Sequence, residues 1–134
     1  DGALGLTMPL GDSTFPGIAS DDIGACAYGI FKAGNAYIGK RVGIAGEHLT
    51  GAEMASAFSA ALGQSVRYHA IEPAVYRSFG FPGAEDLGNM FQFNRDFAGD
   101  FCASRSVEFS RGLNPGLKTF GAWLEENKGR IALE

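Results

Sequence analysis

The segment Leu49-Thr-Gly-Ala-Glu-Met54 constrains the fold more than any other in the chain. Thr50 and Glu53 stand at the spacing of a reciprocal capping box, and Leu49 and Met54 are placed to close it as a hydrophobic staple. Met54, Ala57, Phe58, Ala61 and Leu62 then recur at helical spacing until Gly63 stops them. The spacing predicts a helix over 50–62 with one buried face. Strand-like runs flank it at Arg41 to Ala45 and Val66 to Ile71, and shorter ones at Leu4 to Leu10 and Thr14 to Ala19 enclose the Gly11-Asp12-Ser13 turn. Ser20 or Asp21 is expected to cap a second helix on which Ile23, Cys26, Ala27, Ile30 and Phe31 share a face, with Gly34 closing it.

Further along, Glu72-Pro73 predicts a short helix with proline in its first turn, carrying Tyr76 and Phe79. Residues 79 to 91 read Phe-Gly-Phe-Pro-Gly-Ala-Glu-Asp-Leu-Gly-Asn-Met-Phe. Pro82-Gly83 makes a sharp turn, Gly80 supplies a backbone free to take positive φ, and Glu85 and Asp86 complement the dipole of the helix that follows. That helix, with Ala84, Leu87, Met90 and Phe91 on its expected core face, runs to about Phe97. An irregular stretch, a strand at Val107 to Phe109 and a last helix from Thr119, with Phe120, Trp123 and Leu124 on one face, complete the order of an α/β chain.

The 79–91 stretch resembles part of the NmrA-like family, atypical relatives of the short-chain dehydrogenase/reductases. Leu6-Thr-Met-Pro-Leu-Gly-Asp12, Ser20-Asp-Asp-Ile-Gly24, Tyr37-Ile-Gly-Lys-Arg-Val-Gly-Ile44, Leu49-Thr-Gly-Ala-Glu53, Leu113-Asn-Pro115 and Trp123-Leu-Glu-Glu-Asn-Lys-Gly129 are similar to the family's C-terminal half, in the family's order. The resemblance implies that residues 1–134 are one C-terminal, substrate-side part of an NAD(P)-binding Rossmann-type protein. It would add the last strand, at 41–45, and the last helix to that protein's sheet, without the glycine-rich dinucleotide half. A start at Asp1 rather than Met fits part of a longer protein. NAD(P) is then the cofactor of the intact protein, and none is expected on this chain alone. Members of the family often act as redox-responsive regulators through protein partners. The alternative is an NAD(P)H-dependent oxidoreductase of quinone- or enone-like molecules, and a third reading is a freestanding ligand-binding or dimerising module. The resemblance, with the aromatic content, implies a substrate-side pocket formed by Phe15, Ile18, Asp21, Tyr76, Phe79, Phe81, Phe91 and Phe93.

Other chemistries find no support. A net charge of −4 argues against direct nucleic-acid binding, and no apolar run approaches a membrane span, so a cytoplasmic protein is expected. The glycines at 43, 46 and 51 lack dinucleotide-loop spacing, and Glu47 puts a carboxylate where phosphate would sit. Gly11-Asp12-Ser13 resembles the serine block of GDSL-type hydrolases, yet neither His48 nor His69 follows an aspartate at Asp-x-x-His spacing. Asp21 and Asp22 are adjacent and so do not face one another on a helix. Cys26 and Cys102 lack metal-ligand spacing, and a packed reduced Cys26 is the expectation, although the sequence leaves a disulfide between them open. A homo-oligomer or a protein partner is expected from strands and apolar faces that this chain cannot cover by itself.

Overall fold

The structure, a computed structural model, describes residues 4–132. Strand β1 (Leu4–Met8) pairs in parallel with β4 (Val66–Ala70), Leu6 opposite Tyr68. Strand β2 (Phe15–Gly17) pairs antiparallel with β3 (Glu47–Leu49). Between them run helices α1 (Ser20–Lys32) and α2 (Gly51–Leu62), the second leading into β4 and packing on it. The chain continues through α3 (Pro73–Arg77), α4 (Ala84–Asp96), α5 (Ala98–Ala103), α6 (Val107–Leu113) and α7 (Phe120–Asn127).

Helix α2 forms as its sequence predicts. Thr50 Oγ1 accepts from Glu53 N at 3.2 Å, Glu53 Oε2 accepts from Thr50 N at 2.8 Å, and Gly63 ends the helix at φ +68°. Gly51 begins the helix beneath the Tyr68 ring, where a Cβ would overlap the aromatic carbons. The ring is fixed because its hydroxyl donates to Gly11 O at 2.9 Å and Met8 O at 3.2 Å, and burial pushes this phenol up from its ordinary value. Sheet, helix and the Gly11 turn are thereby locked together.

The bonds from Thr50 backbone and side chain hold the Glu53 carboxyl below its ordinary 4.5. A depressed carboxyl stabilises the fold above its unfolded value, and that contribution disappears as pH falls through the folded value. Replacing Glu53 by Gln should therefore lower the urea midpoint at pH 6, with the gap from wild type closing progressively below about pH 4.5. A gap of constant size across that range would assign the cap's effect to geometry rather than charge.

Six expectations give way. Arg41 to Ala45 is not a strand, because its backbone is engaged elsewhere: Ala45 N donates to Ser110 Oγ at 2.9 Å, and Gly43 lies so close to Ser104 O that no side chain fits. The nearby strand is β3, which begins two residues after Ala45. Val107 to Phe109 is helical in α6, because Ser106 Oγ accepts from Phe109 N at 3.1 Å and this cap overrides the strand propensity of Val and Phe. The preceding irregular stretch holds α5.

Helix α1 is preceded by Ala19 as its N-cap, with no side-chain cap from Ser20 or Asp21. Its buried line is Asp22 and Cys26, with Gly29 against the Leu113 backbone, so Ile23 and Phe31 face outward. The close approach to α6 decides this, since only glycine leaves room for Leu113 O. On α4 the inward line is Ala84, Gly88 and the half-buried Phe91, whereas Leu87 and Met90 are exposed. Small residues face α3 because Arg77 Cγ and Pro73 O lie against Gly88.

Candidate functional site

The clearest concavity is a cleft of about 270 Å³ between the β2–β3 pair, the start of α2 and the start of α7. Phe15 and Ile18 line it from the first wall, Leu49 and Met54 from the second, Phe120 and Trp123 from the third, and Met8 closes the floor. The staple pair that sets the entry of α2 therefore doubles as cleft wall. Phe120 reaches both ways, packing edge-on against Phe58 of α2 at 5.2 Å and lying parallel to Trp123, within 7°, at 6.5 Å.

Two carboxylates hold the rim. Asp22, 5% exposed, accepts from Lys118 N at 2.8 Å and from Asn114 Nδ2 at 2.9 Å. Glu47 accepts from Phe120 N at 2.8 Å, capping α7 from outside beside the local cap, in which Thr119 Oγ1 accepts from Ala122 N. Lys118 Nζ pairs with Glu126, and that ion pair holds the ammonium above its ordinary value. The charged side chains lining the cleft, Glu47 and Lys118, are thus both committed to the fold.

Of the residues expected from sequence, Phe15 and Ile18 line the cleft, and Asp21 is exposed and does not. Tyr76 is the hub of a neighbouring aromatic group, with Phe79, Phe81 and Phe91 at 5.6, 5.7 and 5.6 Å, and Phe15 touches Phe91 at 5.9 Å. Phe79 is 51% exposed. Phe93 lies apart, packed on Phe97 and Phe101, because it points from α4 toward α5 rather than toward α3. Sequence reading missed Met8, Leu49, Met54, Phe120 and Trp123 as a group. Its clue was present in the capping staple and in the shared face of Phe120, Trp123 and Leu124, neither of which signals a lining by itself.

The cysteines are buried and not bonded to one another: Cys26 Sγ donates to Ser110 O, and Cys102 Sγ lies 3.5 Å from Thr14 Oγ1. Burial, and secondarily the Asp22 charge, pushes the Cys26 thiol up, away from reactivity. Among the described residues no three His, Cys, Asp or Glu side chains gather as a metal site, and no helix is long and apolar enough to cross a membrane.

A dinucleotide pyrophosphate fits poorly here. It needs open N–H groups at a helix N-terminus, but α1 begins with Asp21 and Asp22, α2 with Glu53, α4 with Glu85 and Asp86, and α7 carries Glu47 on its first N–H. All four helices of eight or more residues among those described have a carboxylate at that end.

Fold and cleft together describe a mixed α/β chain. The NmrA-like family model matches residues 1–124, and the chain belongs to that family. Among solved structures it is similar to a nucleoside-diphosphate-sugar epimerase from Staphylococcus aureus, at 22% identity over 90% of this chain and 43% of that one, TM-score 0.75. It is similar to NmrA, a negative transcriptional regulator, in complex with NADP, at 22% identity over 94% and 43%, TM-score 0.73. It is also similar to a triphenylmethane reductase from Citrobacter sp., at 12% identity over 95% and 45%, TM-score 0.76. At these identities the likeness is one of fold, and the chain spans less than half the length of each.

Proposed function

We propose that this chain is the ligand-side part of an NAD(P)-binding, redox-sensing regulator that acts through protein partners, its dinucleotide held by residues outside the chain. The observation carrying this reading is that Glu47 and Lys118, the charged side chains of the apolar cleft, are both tied into the fold. Hydride chemistry on a carbonyl needs a positioned proton donor, whereas sensing needs only a pocket whose occupancy shifts a surface. The resemblance to a negative transcriptional regulator solved with NADP supports it. Partners would meet exposed apolar side chains such as Tyr28 and Phe31 on α1.

The oxidoreductase reading draws on the Tyr76 aromatic group beside the cleft, a surface suited to a flat quinone or enone, and on the likeness to a triphenylmethane reductase. The two readings separate on the assembly purified from cells through a tag on this chain. A regulator binds NAD(P) at micromolar Kd and consumes NAD(P)H no faster with 1,4-naphthoquinone or cyclohexenone than without. Substrate-dependent consumption would transfer the chain to the oxidoreductases.

A further inference from the structure

We infer that a second copy of this chain docks on it, the basic aromatic side of α1 in one copy packing against the acidic aromatic side of α4 in the other. The inference rests on reading α1 as a partner surface, gives that surface an occupant, and does not depend on what the cleft or the dinucleotide site holds.

Charge is segregated along the chain. Residues 23–46 hold Lys32, Lys40 and Arg41 and no Asp or Glu, whereas residues 78–104 hold Glu85, Asp86, Asp96 and Asp100 against Arg95 alone. Arg95 is already taken, because its guanidinium bonds Asp96 at 3.0 Å and Glu72 at 3.4 Å. Among the described residues Lys32, Lys40, Asp86 and Asp100 are exposed and enter no ion pair.

Each charged side also carries the bulky apolar residues that a helix contact needs. On α1 Tyr28 and Phe31 stand at i and i+3, Phe31 is 79% exposed, and Ile38 follows just beyond the helix at 74%. On α4 Met90, Phe93 and Phe97 recur at i, i+3 and i+7, Asp86 heads the same line, and both phenylalanines are more than half exposed. Stripes of this kind on two helices interlock as ridges in grooves. They do not meet within one copy, since α1 packs on α6 and α4 on α3 and α5.

Complementary charge around an apolar contact speeds encounter and fixes which partner is accepted. Every copy carries both members of the pair, and this favours a second copy over an unrelated protein. Two such contacts about a twofold axis close a dimer, and a single one leaves a free face at each end.

Sedimentation velocity of the 134-residue chain should show an average mass rising from one copy toward two or more between about 5 and 500 µM, with a Kd on the order of 50 µM. Lys32→Glu combined with Lys40→Glu should weaken association about tenfold, and so should Asp86→Lys combined with Asp100→Lys. All four positions are exposed, so urea midpoints should stay near the wild-type value. Mixing the two variants is the decisive arm, because the acidic α1 then meets the basic α4 while the unaltered faces meet as in wild type. Affinity should return to within about threefold of wild type. A chain that stays monomeric at about 500 µM overturns the inference, as does a charge reversal without effect or a mixture that does not recover. So does a photo-crosslinker in place of Phe31 that couples, in the assembly purified from cells, to any polypeptide other than α4 of a second copy. NAD(P) binding by the tagged assembly without self-association overturns this inference alone. Self-association together with quinone-dependent NAD(P)H consumption overturns the regulatory reading alone.

Discussion

Replacing Leu124 by Ala is expected to lower the unfolding free energy by about 3–5 kcal/mol, the upper range for a leucine with no room to collapse around it. Leu124 is fully buried on α7, the helix that packs against α2 and carries the cleft's ring pair. Its side chain is among the largest with essentially no exposure, so its truncation leaves a cavity in the core. Leu87→Ala gives the contrast. That side chain falls on the apolar stripe read from sequence, yet it is 37% exposed, and its loss should cost no more than about 1 kcal/mol. Urea denaturation of the two variants tests the assignment, and similar costs would mean that the α7 packing is misplaced.

Asp22→Ala should be the next most damaging change, at about 3 kcal/mol. The carboxylate is buried and accepts from two groups of the 114–118 segment, and hydrogen bonds to a charged acceptor are worth about 1.5–3 kcal/mol each. Removing it leaves the Lys118 N–H and the Asn114 amide facing an apolar methyl. Its sequence neighbour Asp21 is exposed, and Asp21→Ala should stay within about 0.5 kcal/mol. Equal effects at the two positions, read from urea midpoints, would contradict the buried clamp.

That pair shows where the sequence is legible and where it is not. Adjacent aspartates at a helix start read locally as dipole partners or caps, and Asp21 is placed accordingly. The role of Asp22 depends on Asn114 and Lys118, more than ninety residues away, and no local pattern encodes it. The capping box and the Gly63 stop of α2, the Pro73 start of α3 and the start of α7 at Thr119 were legible because each is settled within four residues. Residues 41–45 were misread because Val and Ile on an extended backbone look the same whether the backbone joins a ladder or docks on α6. Helical stripes on α1 and α4 identified the right elements and only part of each buried face: Cys26, Ala84 and Phe91 turn inward, whereas Ile23, Phe31, Leu87 and Met90 do not. In both, a glycine, which carries no apolar weight, marks the close contact, Gly29 against Leu113 and Gly88 against Arg77.

The site followed the same division. Phe15 and Ile18 were placed at the cleft by resemblance, and Tyr76, Phe79, Phe81 and Phe91 do gather beside it. The cleft's own walls come from several elements, and their apolar residues look like ordinary core in isolation. Half-burial of both members of the capping staple is what turns them into a lining, and exposure is a tertiary property.

The proposed function has this chain supply the ligand side of an NmrA-like protein, with the dinucleotide phosphates held by residues outside it. Calorimetric titration of the 134-residue chain with NADH and NADPH tests this most directly. No saturable binding tighter than about 10 µM, roughly −7 kcal/mol, is predicted, because the long helix N-termini carry carboxylates. Saturable binding of either dinucleotide below that concentration would contradict the account and place a pyrophosphate site within these residues.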